Sequence, residues 1–367
     1  MNSASVFDTT DLSIRTPSTI FTVNSTADPG TGTCDGAECT LREAIVAANS
    51  SAGADTIAFN VPGSGVHTIA LGSGLPEITD AVTIDGYTQP GTSPNTLAQG
   101  NNAVLLIELS GATGGGMDGL VISAGSSVVR GLVINSINGT FQRSAIRLRT
   151  NGGNTVEGNF IGTDPTGAIR RANSGDGVTI EGIPNNVIGG TAPQKRNVIS
   201  SNDGNSGVHI SGNTATGNFV QGNYIGTNAA GTAALRNGGA GVRIDDSPNT
   251  TVGGATMGAG NLLSGNGNNG VDLRGNAAMG NVIQGNYIGT NITGSGALPN
   301  GSGLRISGAP SNNVGGSSAG AGNLISGNNY DGIFLDFSLG SGANANVFQG
   351  NFIGTDVSGM LDLGNGQ

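Results

Sequence analysis

The chain has 367 residues, 68 of them Gly, with 14 basic against 24 acidic side chains and a net charge of −10. So much Gly and so little charge exclude a coiled coil or helical bundle, and the acidic balance excludes a duplex nucleic-acid binder. No run of about 18 apolar residues offers a membrane span, and regularly recurring Val, Ile and Leu set the chain apart from a disordered Gly-rich polymer.

Residues 1–19 read as an N-terminal extension. Met1-Asn2-Ser3-Ala4-Ser5 lacks the basic start and apolar stretch of a signal peptide. Cys34 and Cys39 suit a small disulfide-closed loop in an exported protein, with free thiols as the other reading. Two Cys with no adjacent His make a poor zinc site, so no metal site is expected. Thr40-Leu41-Arg42-Glu43 has the form of a capping box, Thr40 at the N-cap and Glu43 at N3. Leu41, Ala44, Ile45 and Ala48 then share one face of a short helix ending near Asn49. Such a helix would lid the open end of a stack of strands. Segments 55–59, 66–71, 81–85 and 104–109 read as strands, so 20–110 is a cap followed by irregular first coils.

From 111 to 367 the chain repeats. Gly-Asn-(Phe/Tyr)-Ile-Gly-Thr occurs at 158–163, 222–227, 285–290 and 350–355, a period of 63 to 65 residues. Gly-(Val/Leu/Ile)-x-(Ile/Leu) begins at Gly177, Gly207, Gly241, Gly270, Gly303 and Gly332. Ile180, Ile199, Val220, Ile244, Leu263, Ile283, Ile306, Ile325 and Phe348 follow one another every 19 to 24 residues. The segments are too short and too Gly-punctuated for helices. The pattern predicts an all-β solenoid, a right-handed parallel β-helix with about 21 residues per coil and three coils per 64-residue unit. Asn197, Asn218, Asn261, Asn281, Asn323 and Asn346 are placed to form amide ladders between coils. The C-terminus stops partway through a repeat, so a longer secreted chain is expected.

Asp164, Asn228, Asn291 and Asp356 follow the Gly-Thr pairs and precede Gly by three residues, a turn signature. Calcium at these turns is the weaker reading, since it needs further oxygens; otherwise no cofactor is expected. The G-x-G-x-x-G match at Gly265–Gly270 precedes a strand rather than a long helix and is discounted. The match to a nucleophile elbow at Gly316–Gly320 lacks a His in partner context.

If Ile180, Ile244 and Ile306 point inward, their neighbours point outward. The outward columns then hold Phe219, Gln221, Arg243, Asp245, Gln284 and Arg305, which suit a linear sugar chain: apolar faces for pyranose C–H surfaces, polar groups for hydroxyls. An ordinary solvated sheet is the competing reading. Phe160, Tyr224, Tyr287 and Phe352 recur with the hexapeptide, either as packing residues or as a ladder of stacking platforms. Arg130, Arg143, Arg147, Arg149, Arg170 and Arg171 crowd into 42 residues, and Arg147 and Arg149 share a strand face that could grip a uronate or sulfate. An enzyme on the same fold would draw on Arg147, Arg149 and Asp176 for a lyase, or on Asp245, Asp246 and Asp272 for a glycoside hydrolase.

Cys39-Thr40-Leu41-Arg42-Glu43-Ala44-Ile45, with Asp35-Gly36 before it and Ala47-Ala48-Asn49 after, resembles the CSLREA domain that opens many secreted bacterial right-handed parallel β-helix proteins. Thr40 stands where the family's name has Ser, an equivalent N-cap. The resemblance implies export or surface display and a β-helix, without implying one activity. The expected function is an extracellular carbohydrate-binding or adhesin-like module that presents a flat sheet face to a polysaccharide or cell-surface glycan. A polysaccharide lyase or glycoside hydrolase is the alternative, and a non-catalytic stalk the second alternative.

Overall fold

Short strands whose side chains alternate between an apolar and a polar direction can satisfy both only by winding around a common core. The computed structural model, which describes residues 18–139, 143–337 and 342–366, shows the chain doing so. Most of the predicted 1–19 extension lies outside the described residues. Three parallel sheets of 11, 10 and 8 strands run the length of the rod, here named A, B and C. Each coil crosses A, then B, then C, as in Thr155–Glu157, Phe160–Ile161 and Asp176–Glu181. The next coil repeats the order with Val187–Gly189, Val198–Ile199 and Val208–Ser211. Every pairing between these strands is parallel, for example Val187↔Phe219 in A, Val198↔Tyr224 in B and Val208↔Val242 in C. The fold is the expected all-β parallel β-helix.

The coil length differs from the expectation. Successive A strands begin at Thr155, Val187, Phe219, Thr251, Val282, Asn313 and Val347, so a coil takes 31 to 34 residues and the 64-residue unit holds two coils. The 21-residue step is an alias. Ile180 lies in C, Ile199 in B, Val220 in A and Ile244 in C again, so each step advances two-thirds of a turn and lands on another sheet. The residues on that list still point inward: Ile180, Ile199, Val220, Ile244, Leu263, Ile283, Ile306 and Ile325 have no exposed surface. Phe348, in the last A strand, is 38% exposed. Burying each aliphatic side chain in such a row contributes about 1.5–3 kcal/mol.

Two coils per unit explain why the hexapeptide appears in alternate coils. Gly158-Asn159 turns the chain from A to B in two residues, and the long connection then lies between B and C. In the next coil the A–B connection lengthens to eight residues, 190–197, and the B–C connection shortens to eight, 200–207. Asparagine lines all three corners. At the A–B corner Asn197 Nδ2 donates to Asn223 Oδ1 at 2.9 Å, Asn223 to Asn261 at 3.1 Å, and Asn261 to Asn286 at 2.9 Å. A second ladder at the B–C corner runs Asn202, Asn237, Asn266, Asn300, Asn328. A third, before the A strands, runs Asn154, Asn186, Asn218 and resumes with Asn281, Asn312. The six asparagines expected to form ladders do so, with Asn197, Asn261 and Asn323 in the first and Asn218, Asn281 and Asn346 in the third. Each buried amide satisfies carbonyls stranded by the bend, which is what a corner of a β-helix requires.

The N-terminal end is closed as expected. Helix α1, Leu41–Ser50, starts with a capping box: Thr40 Oγ1 accepts from the Glu43 backbone N–H, and the Glu43 carboxylate accepts from the Thr40 N–H. Leu41, Ala44, Ile45 and Ala48 face the core. Cys34 and Cys39 form a disulfide beside the cap. The first strands are Ile20–Val23, Asp55–Phe59, His67–Ala70, Val82–Asp85 and Ile107–Ser110. Among the described residues no helix is long and apolar enough to cross a membrane.

Candidate functional site

The outward positions of the C sheet carry the densest chemistry of the rod. In Gly-(Val/Leu/Ile)-x-(Ile/Leu) the two aliphatic residues point inward and x points outward, once per coil. That column reads Arg147, Thr179, His209, Arg243, Asp272, Arg305, Phe334. The outward column beside it reads Arg149, Glu181, Ser211, Asp245, Arg274, Ser307, Asp336. Opposite charges meet one coil apart at several of these positions, Arg243 beside Asp272, Asp245 beside Arg274 and Asp272 beside Arg305.

The ion pairs are continuous. Arg147 bridges Asp118 at 3.1 Å and Glu181 at 2.6 Å, and Arg149 pairs with Glu77 at 2.6 Å. Arg243 grips Asp245 with two nitrogens, at 3.0 and 2.6 Å. Arg274 does the same to Asp272, and Arg305 reaches Asp336. The hydrogen bond from Arg274 to buried Asp272 raises the guanidinium pKa further, as Glu77 does for Arg149.

His209 sits at the centre of the network. Its Nδ1 lies 3.4 Å from Asp176 Oδ2 and its Nε2 lies 3.1 Å from Asp245 Oδ2, so the imidazolium donates in both directions. Burial opposes the charge, but the hydrogen bonds to Asp176 and then Asp245 outweigh it, lifting the pKa to about 9. Burial likewise works against the Asp245 carboxylate, and the bonds from His209 and Arg243 overcome it, holding its pKa below the usual carboxylate value. Asp176 is further fixed by the Ser206 backbone N–H at 2.8 Å and by Asn205 Nδ2 at 3.1 Å. This group opens into a pocket of about 290 Å³ bordered by Arg147, Glu181, Ser211 and Arg243. Farther along the same face, Arg274, Arg305, Asn269, Ser302, Tyr330 and Phe334 border a second pocket of about 400 Å³.

The expected site residues divide by sheet. Arg147, Arg149, Asp176, Arg243, Asp245, Asp272 and Arg305 converge on the C face. Phe219, Gln221 and Gln284 do not: they lie on the A sheet, where Gln221 and Gln284 donate to the Gly253 and Gly315 carbonyls of the next coil. The two-thirds-turn alias mixed the three faces into one column. Asp246 follows its strand at φ 47° and receives the Ala277 N–H, a corner role off the face. The arginine cluster separates in the same way. Arg130 pairs with Asp85 on the A sheet, and Arg170 with Asp203 in the B–C connection that also holds Arg171, leaving Arg143, Arg147 and Arg149 near the C face.

His209, Arg274, Tyr330, Phe334 and Asp336 were not anticipated, although the x position of the second repeat element names two of them. The turn residues behave as turns: Asp164 Oδ1 accepts from the Ala168 and Ile169 N–H groups, and Asp356 Oδ1 from those of Met360 and Leu361. Among the described residues no cluster of three His, Cys, Asp or Glu is placed to hold a metal ion.

The face is poorly arranged for bond cleavage. The imidazole of His209 fills the space between Asp176 and Asp245, where a hydrolase would place the scissile bond. A histidine raised to about 9 stays protonated at neutral pH and so cannot serve as a base there, and a carboxyl held low, as in Asp245, is a poor general acid. Arg147 and Arg149, the lyase candidates, are occupied by carboxylates.

No family model matches the sequence, and no curated protein does. Among solved structures the chain is similar to the crystal structure of the Dettilon tailspike protein, with a TM-score of 0.30 and 14% identity over 89% of this chain and 68% of that one. A likeness that distant has no bearing on function.

Proposed function

We propose that the chain is an extracellular carbohydrate-binding β-helix whose C face holds a linear, neutral, hydroxyl-rich polysaccharide. One observation carries the reading: apart from Phe334 at one end, the two outward columns of the C sheet are polar or charged from Arg147 to Asp336, and their guanidinium groups are already neutralised by carboxylates. Six coil spacings of ~4.8 Å make this face about 29 Å long. A uronate or sulfate polymer would have to displace carboxylates in place, whereas sugar hydroxyls can bond to paired groups without breaking them. Phe334, 42% exposed, and Tyr330, 67% exposed, offer ring faces at one end of the row. The disulfide is consistent with an oxidising compartment, and the binding needs no cofactor.

Retention on insoluble neutral glucans and mannans, compared with alginate and sulfated polymers, tests the proposal. The expected result is retention on a neutral polymer that falls at least tenfold in Arg243→Ala and Phe334→Ala. No retention on any polymer, or retention indifferent to both changes, overturns it.

A further inference from the structure

In the middle of the rod the outward column of the B sheet is apolar: Val133, Phe160, Val198 and Tyr224 follow one another coil by coil. Outward side chains ordinarily meet water, yet all four are buried, Phe160 to 1% and Tyr224 to 2% exposure. The cover comes from an earlier coil. Between the strands Val82–Asp85 and Ile107–Ser110 the A–B connection, residues 86–106, leaves its own coil and runs along the rod as a finger.

The finger is braced internally. Ser93 and Val104 exchange backbone hydrogen bonds at 3.1 and 2.8 Å, which tie its two limbs together. Nearer the tip, Asn95 Oδ1 accepts from the Leu97 and Asn102 N–H groups at 3.0 and 3.1 Å. A loop held in this way moves as a body rather than residue by residue.

It is anchored to one coil after another. Leu105 packs in a single cluster with Val133, Phe160, Val198 and Tyr224. The Tyr87 hydroxyl donates to the Gly158 carbonyl at 2.8 Å, and Asn95 Nδ2 donates to the Pro193 carbonyl at 3.0 Å. Arg196 donates to the carbonyls of Leu97, Ala98 and Gly100, and its guanidinium lies 4.6 Å from the Tyr224 ring centroid. At the tip the Gly100 N–H donates to the Tyr224 hydroxyl at 2.7 Å.

The coils under the finger have a second property in common. Their C strands are Ser144–Arg149, Asp176–Glu181, Val208–Ser211 and Val242–Asp245, and every residue bordering the His209 pocket belongs to these coils. A coil of a solenoid is held chiefly by its two neighbours, so its strands can open locally. The finger opposes this, because opening any one of these coils breaks contacts that the others share. We propose that the finger is a clasp that makes these coils open as one unit, and so keeps the His209 pocket assembled from the opposite face of the rod. A pocket that is already ordered binds without the cost of ordering it. The clasp rests on B-face contacts alone and does not depend on what the C face binds.

Hydrogen exchange of the full chain, read by mass spectrometry, tests this. Tyr87→Phe and Tyr224→Phe each remove one hydroxyl, from opposite ends of the clasp. Each should accelerate exchange several-fold in the same set of strands, Leu132–Asn135, Phe160–Ile161, Val198–Ile199 and Tyr224–Ile225. Val208–Ser211 and Val242–Asp245 on the C sheet should follow, and Ser302–Ser307 should not change. Arg196→Met, which removes the main anchor of the tip, should give at least a tenfold acceleration over the same set. Acceleration confined to the coil that each variant touches, around Gly158 for Tyr87→Phe and around residue 224 for Tyr224→Phe, overturns the proposal. Exchange that neither tyrosine change alters overturns it as well.

Discussion

His209 Nε2 and Asp245 Oδ2 meet at 3.1 Å across one coil of the C sheet, while Asp176, one coil to the other side, holds the opposite ring nitrogen. The triplet therefore staples three coils with one proton. A histidine raised from 6.5 to about 9 contributes its full stabilisation below pH 6.5 and loses it as pH climbs to 9, about 3 kcal/mol in all. The melting temperature of the wild type should fall across that window, and that of His209→Gln should stay nearly flat. Asp245, held low, adds the opposite dependence, losing its contribution as pH drops below about 4. Thermal melts of both proteins from pH 3 to 10 separate the two effects.

The amide ladders should be among the least tolerant positions. Asn223 Nδ2 donates to the Ile188 and Gln221 carbonyls and to Asn261, while its Oδ1 accepts from Asn197. Asn223→Ala leaves several buried groups unpaired, at a cost of about 2–3 kcal/mol. Guanidinium chloride unfolding should show the midpoint shift. Thr232→Ala, at an exposed loop position in the same coil, should change it little.

Gly222 opens the second hexapeptide at φ +68°, and a Cβ there would collide with the Gly190 backbone carbonyl of the preceding coil. Gly222→Ala combines left-handed strain of about 1–3 kcal/mol with a clash against main chain that cannot move aside. We expect a loss of several °C in melting temperature, or failure to accumulate as folded protein, by circular dichroism.

Much of this was legible in the residues. The capping box Thr40–Glu43, the inward aliphatic rows and the parallel solenoid follow from local chemistry: a hydroxyl N-cap, period-two alternation, and Gly where the chain bends. The coil length was not, because Ile180, Ile199 and Val220 are equivalent in depth but lie on three different sheets, and depth alone cannot tell sheets apart. The x position of Gly-(Val/Leu/Ile)-x-(Ile/Leu) could, since Thr179, His209, Arg243, Asp272, Arg305 and Phe334 recur once per true coil. The pairing of His209 with Asp176 and Asp245 depends on register between coils, which strand patterning does not encode.

The Cys34–Cys39 disulfide closes a loop with a separation of only 5 residues, so chain entropy limits its effect to about 2 kcal/mol. Its location narrows that effect further. A solenoid is coupled mainly between neighbouring coils, so reduction should loosen the cap helix before the distant coils. Hydrogen exchange under dithiothreitol should accelerate in residues 40–50 and leave the strands after residue 200 unchanged.

The neutral-glycan reading predicts a gain of function on removing one charge. Asp272 has no exposed surface and carries Arg274 on one side, with Arg305 3.8 Å away on the other. Asp272→Asn keeps the shape and the capacity to accept a hydrogen bond but frees positive charge on the face. The cost is a buried pair broken from one side, 3–5 kcal/mol for full removal of a partner and less for an amide that still bonds. Arg274, 31% exposed, would then face solvent with unbalanced charge, while Arg305 keeps Asp336. The variant should bind alginate at low salt and release it as ionic strength rises and the Debye length contracts below about 8 Å, while the wild type passes through the same column. If Asp272→Asn gains no affinity for the acidic polymer while remaining folded, the carboxylates are not what turns anionic glycans away.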